Sequence, residues 1–307
     1  MKRFDWLHHI EQLDPTTDFL EIYRISVTHE FPWDYNQSLS FALFRTYAVP
    51  SIGSLLAGTG ELTERVQKRY DDTSLILDAV LEHGFAGPGG RTAIRRMNQM
   101  HGAYSISNED FVYVLSTFVV VPIRWIDRFG WRRLCETEKV ASAHYYRELG
   151  RHMGMTAIPA TYQEFAAYLD AYEAEHFATG TGGTDPGGRA VADATLRLFT
   201  TFPPTQHAPA ALIRRFALGL MDDALRAALG YPRISRAEQA ACAAAVRLRG
   251  RVVRFLPPRT EPLYTRQRAN IRSYPAGYEI AELGTFPHGC PVARPAPDDA
   301  TPPVTTA

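Results

Sequence analysis

From Thr17 to Phe255 the apolar residues of this chain recur at helical spacing, and no stretch alternates in the way a half-buried strand would. No internal repeat is visible. That periodicity restricts the chain to an all-α fold. With 307 residues, 45% of them hydrophobic, it can bury a sizeable core. We expect one helical catalytic domain over residues 1–255 and a Pro-rich extension over 256–307, with Pro291 to Ala307 disordered.

Several helix limits can be read directly. Thr161 with Glu164 and Ser235 with Glu238 form capping boxes, and Ser107 or Asn108 can cap the helix that carries the Phe111 to Ile123 apolar run. Pro122 falls inside that run and should kink or end the helix. The kink would either aim Arg124 and Trp125 into a cavity or leave Trp125 in the core. The run is too short to span a bilayer. Ser38 to Tyr47 is apolar nearly all round, as in a buried helix or a surface-docking one. Further helices are predicted over 136–153, 190–202 and 208–229. Phe31 to Asp34 reads as a turn, Thr179 to Gly188 as a loop, and Gly87 to Gly90 as a flexible lead without P-loop spacing.

Two predicted helices break their apolar faces with functional groups. Ile94, Met97, His101 and Tyr104 share one face, which sets an imidazole inside an apolar stripe. Such a histidine can offer a nitrogen lone pair to a metal or haem iron. It can equally be a core residue satisfied by its neighbours. Leu62, Val66, Arg69, Thr73, Ile76 and Val80 form the second stripe, in which Arg69 requires an anionic partner that Asp72 only partly supplies. The two helices imply one shared polar pocket.

Lysine plus arginine and aspartate plus glutamate both total 33, so no basic field favours nucleic acid. Cys135, Cys242 and Cys290 lack metal-like spacing and form no even set, which excludes a zinc ribbon or disulfide scaffold and points to the reducing cytoplasm. No signal peptide is evident. His144, Glu148 and His152 lie on one helical face that reads as solvated. Glu173 and His176 match a single Glu-x-x-His step, where a di-iron bundle needs two.

Further strings carry a resemblance. Pro50-Ser51-Ile52, Arg69-Tyr70-Asp71-Asp72-Thr73 and Arg96-Met97-Asn98-Gln99-Met100-His101-Gly102 are similar to the MpaB/rubber-oxygenase catalytic domain family. The similarity continues through Tyr113 to Phe118, Arg124-Trp125, Phe129-Gly130-Trp131, Tyr145-Tyr146 and Pro159 to Tyr168, and covers roughly residues 20 to 255. It implies a globin-like, multi-helix domain that binds haem b through a proximal histidine. His101 matches that iron ligand, and Arg69 and Thr73 match an arginine and a threonine of the distal helix. Met97 and Tyr104, from the His101 stripe, and Phe118, as an apolar wall, are expected to line the haem with His101 and Arg69. Asp72 replaces a lysine that can occupy the distal iron position in latex-clearing proteins. It is expected to be engaged by Arg69 or Arg65, either as a proton relay or as a plain neutralising charge. No glutamate matches the family's proposed base, since Glu61 and Glu64 are out of register. The implied function is haem-dependent oxygenation of a hydrophobic small molecule with O₂. The alternative is a non-catalytic haem-binding or cofactor-free helical protein.

Overall fold

The computed structural model describes residues 1–177, 184–203 and 205–285. The Pro291 to Ala307 segment and the Thr179 to Gly183 part of the predicted loop lie outside the described residues. Among the described residues the regular elements are all helices: α1 (Asp5–Ile10), α2 (Phe19–Ile25), α3 (Pro32–Tyr47), α4 (Pro50–Gly58), α5 (Val66–His83), α6 (Pro88–His101), α7 (Asn108–Phe129), α8 (Glu136–His152), α9 (Tyr162–His176), α10 (Pro186–Phe199), α11 (Ala210–Leu220), α12 (Asp223–Ala228) and α13 (Arg236–Val253). The all-α expectation holds.

α7 is the central helix, with α3, α8, α9 and α13 packed around it. Its apolar run supplies Val119, Val120, Ile123 and Ile126 to a core shared with Phe31, Tyr35 and Phe44. The helix starts where Ser107 accepts the Asp110 amide, and it continues through Pro122 to Phe129. Trp125 is buried and its indole donates to Asp34 (3.4 Å), whereas Arg124 faces outward in a two-pronged pair with Asp170 (2.8 and 2.7 Å). Trp125 is thus a core residue, and Arg124 is exposed at the surface. Ser38 to Tyr47 is a buried helix, and no single described helix is long and apolar enough to cross a membrane.

Four local readings need correction. The Phe31 to Asp34 turn is instead the start of α3, with Pro32 in the first turn, where its missing N–H costs nothing. The predicted 208–229 helix breaks at Asp222, which caps α12 by accepting the Leu225 amide and also pairs with Arg45. The end of the Gly/Thr-rich loop is helical, because Asp185 caps α10 and Pro186 opens it.

The fourth correction concerns Gly87 to Gly90, which is no flexible lead. Gly84 ends α5 at φ +68°, and Pro88 starts α6 directly, so the two helices form a tight hairpin. A Cβ on Gly90 would overlap the Gly84 carbonyl oxygen. Gly90→Ala should therefore lower stability by about 3 kcal/mol, a change that urea denaturation would read. A neutral outcome would show that the hairpin can open without cost.

Residues 256–285 do not hang off the helical body. Leu283 is fully buried, and three carboxylates of α5 hold the segment. Asp78 accepts the Thr265 amide on both oxygens (3.0 Å each), and Asp71 accepts the Arg272 and Ser273 amides (3.0 and 2.9 Å). Asp72 meets Tyr274. From α6, buried Arg96 donates to the Leu283 and Thr285 carbonyls (2.6 and 2.8 Å).

Candidate functional site

His101 is the last residue of α6, and α6 packs against α5. Its ring lies edge-to-face with Phe111 of α7 at a centroid separation of 5.5 Å. The Met97 carbonyl, one turn back, pulls weakly toward the protonated ring, yet buried Nδ1 forms no hydrogen bond of ordinary geometry. Burial first, and the Arg69 charge second, push the imidazole down to about 4. His101 is therefore a neutral base at physiological pH, and its Nδ1 is an orphaned polar atom.

The Arg69 charge acts on both His101 and Tyr47 of α3. Burial pushes the Tyr47 hydroxyl up to about 12, with the Thr195 hydroxyl and Arg69 pulling the other way. Arg69 itself is half-buried. Among the described residues no carboxylate pairs with it, so the expected engagement with Asp72 is not found. Its guanidinium instead donates to Thr73, whose hydroxyl in turn donates to the Arg69 carbonyl (2.9 Å). Thr73 thus orients Arg69, and its own proton is already committed.

Asp72 is wholly buried and turned toward the 256–285 segment. Lys68 binds it at 2.7 Å and the Tyr274 hydroxyl donates to its other oxygen, while Lys68 also donates to the Gly284 carbonyl (3.1 Å). The expected partners Arg69 and Arg65 are both wrong, since Arg65 pairs with Glu61. Both Asp72 oxygens being occupied, the carboxylate fits a neutralising role better than a relay. Asp72→Asn should cost about 1–3 kcal/mol by leaving the Lys68 ammonium and the Tyr274 hydroxyl poorly matched, while oxygen uptake at equal cofactor loading stays unchanged. A turnover loss without a stability loss would restore the relay.

The other anticipated wall residues are dispersed. Met97 is buried beneath His101 on α6, and Tyr104 sits in the turn whose amide returns to the His101 carbonyl (3.1 Å). Phe118, two turns beyond Phe111, packs on Tyr146, whose hydroxyl meets that of Tyr23 at 2.8 Å. The remaining constellations do not form metal centres. Glu173 is bound to Arg45, His176 stacks on Tyr172, and His152 stacks on Phe85. Among the described residues no three His, Cys, Asp or Glu side chains converge as a metal cage.

Tyr47 escaped the sequence reading because nothing local marks it; only the packing of α3 brings it within the field of Arg69. A haem iron needs one neutral imidazole nitrogen, and haem propionates need a cation. The orphaned, neutral His101 and the carboxylate-free Arg69 fit both requirements. Two surface clefts of about 290 and 300 Å³ lie elsewhere, beside Glu173 and Arg197 respectively, and neither borders His101.

Residues 38–255 match the family model described as "ER-bound oxygenase mpaB/B'/Rubber oxygenase, catalytic domain". The chain belongs to this family. Among curated members, "ER-bound oxygenase mpaB'" of Penicillium brevicompactum is 32% identical over 254 residues, covering 76% of this chain and 58% of the relative. "ER-bound oxygenase mpaB" of Penicillium roqueforti (strain FM164) is 29% identical over 230 residues, covering 69% and 74% respectively. The chain thus spans little more than half the length of the first of these oxygenase relatives. Their names also overturn the cytoplasmic expectation, because both relatives are called ER-bound. Cysteine usage reports redox environment and not attachment to a membrane, which is why it misled. The mpaB/rubber-oxygenase match ends at Phe255, short of the segment that Asp71, Asp72 and Asp78 hold.

Proposed function

We propose that this mpaB/rubber-oxygenase family domain is a haem b-dependent oxygenase acting with O₂ on a hydrophobic small molecule, in a globin-like helical setting. The observation that carries the reading is His101: a neutral imidazole with an orphaned nitrogen, held under the charge of Arg69. His101 would hold the iron, and bound haem would supply the oxygen-activating chemistry. Arg69 contributes a permanent positive charge that needs no proton to be delivered during reaction. Aimed by Thr73, it can bind a propionate or stabilise negative charge that develops on oxygen. Met97 and Phe111 contribute apolar walls that exclude water and suit an apolar substrate, and Phe118 extends that character along α7. Association with the endoplasmic reticulum, as printed in the relatives' names, belongs to the same proposal.

The test is the absorption spectrum of protein expressed with haem precursor, in ferric and ferrous-CO forms, followed by oxygen uptake with a reductant and an apolar substrate. A Soret band and substrate-dependent uptake are expected. Folded protein that stays colourless would leave the cofactor-free reading in place, and haem without uptake would make it a carrier.

A further inference from the structure

α13 presents two different faces. Cys242, Ala243, Val246 and Gly250 are buried, and Gly250 lies so close to the Phe129 carbonyl at the end of α7 that a side chain there would collide. Arg249 also turns inward, pairing with Asp34 (2.8 Å) and stacking on Trp33 at 3.9 Å. The outward face carries Leu248, Val252 and Phe255 at i, i+4 and i+7, continued by Leu256. Phe255 is 86% exposed and Leu248 60%. Apolar side chains of that size have no reason to line a solvated stripe.

Arg247, Arg251, Arg254 and Arg259 flank the stripe, and none has a carboxylate partner among the described residues. No aspartate or glutamate occurs between Glu238 and Glu261. Arg254 reaches over Phe4, itself part-exposed, so the patch extends to the N-terminal segment. This charge is local, because the whole chain is neutral. A second copy of the same face would bring the unpaired arginines together. An anionic lipid surface would neutralise them while its acyl boundary takes up the leucines and Phe255.

We infer that the outer face of α13 and the turn after it, from Arg247 to Arg259, form a docking surface for anionic membranes, with Leu248, Val252, Phe255 and Leu256 inserted and the arginines at headgroup level. The inference is independent of the haem reading. It describes lying on a membrane, not crossing one, and it commits to the lipid headgroup charge as the selective element.

Co-sedimentation of the full chain with phosphatidylcholine vesicles, with and without about one-third phosphatidylserine, tests it. Binding is expected to the anionic vesicles, to be far weaker to the neutral ones, and to fall with rising salt. Arg247→Gln/Arg251→Gln/Arg254→Gln should weaken anionic binding by on the order of 100-fold, at several-fold per arginine near the surface. Leu248→Ser/Phe255→Ser should release the protein from both vesicle types while helical circular dichroism stays unchanged. Equal binding to neutral and anionic vesicles, or no binding to either, overturns the inference. So does concentration-dependent dimerisation that the Leu248/Phe255 variant abolishes, because a second copy would then be the occupant.

Discussion

His101→Ala should lose haem affinity by more than about 100-fold, beyond the penalty for removing a metal ligand's mere hydrogen-bond partner, while its helical circular dichroism matches the parent. The ring is neutral, and the Met97 carbonyl is the one protein group that pulls on it, too weakly to give Nδ1 a hydrogen bond of ordinary geometry. Full haem occupancy in that variant would sink the assignment. A second measurement needs no haem at all. The imidazole falls from 6.5 in the unfolded chain to about 4 when folded, so the unfolded chain binds the extra proton. Stability from this group is complete above pH 6.5 and is lost as pH falls toward 4, by up to about 3 kcal/mol for a shift of that size. His101→Gln should flatten the stability profile of the cofactor-free protein across that window. A profile unchanged by the substitution would mean that the ring is solvated.

The largest loss of stability should follow removal of Arg132. Its guanidinium binds Glu30 (3.0 and 2.8 Å) and Glu138 (2.6 and 2.9 Å), and both carboxylates are completely buried. Glu138 also accepts from Ser26 and from the Cys135 amide, closing a capping box at the start of α8. Arg132→Met leaves buried Glu138 without a cation and Glu30 with only the longer Arg3 contact (3.8 Å), and should cost about 3–5 kcal/mol. Burial already pushes Glu30 above its ordinary value of 4.5, with Arg132 pulling it back. Without the arginine, folding takes up a proton at Glu30, so the variant loses stability as pH rises. Its deficit against the parent should be smaller near about pH 5 than near about pH 8. A deficit that is constant across pH would show that the glutamates had found another cation.

The legible and illegible parts of this chain divide by distance along it. The stripes over Leu62 to Val80 and Ile94 to Tyr104 could be read because helical periodicity is local. Their broken positions, Arg69 and His101, do come within each other's field. Ser107, Thr161 and Ser235 all cap as expected. The two anticipated boxes close only halfway, however. Glu164 reaches the Ala160 amide and Glu238 turns to Arg215, while the complete box at Cys135 carries no Ser or Thr to announce it. Lys68 and Gln67 reach Asp72 and Asp71 from one turn away, but the partners of Asp71, Asp72 and Asp78 in the C-terminal segment lie 187 to 202 residues off and left no local sign. A carboxylate on a helix looks solvated until a remote backbone arrives to bind it. The docking of 256–285 was not legible for the matching reason: its prolines announce an irregular chain, but not that Leu283 is buried and Ile271 and Tyr274 part-buried against distant helices.

Those long-range bonds bear on the order in which the molecule is assembled. α5 carries Arg69 on one side and, on another, carboxylates whose partners begin at Thr265 and end at Tyr274. During synthesis the α5–α6 hairpin can form early, since its closure spans only a few residues. It must then wait, with Asp71, Asp72 and Asp78 hydrated, until the chain as far as Tyr274 has left the ribosome. The face of α5 that carries these carboxylates is therefore among the last parts of the hairpin to gain its partners. Maturation should depend on completion of that late segment as well as on the helices that bear the site, because a stalled chain ending after α13 would lack the partners of Asp71, Asp72 and Asp78.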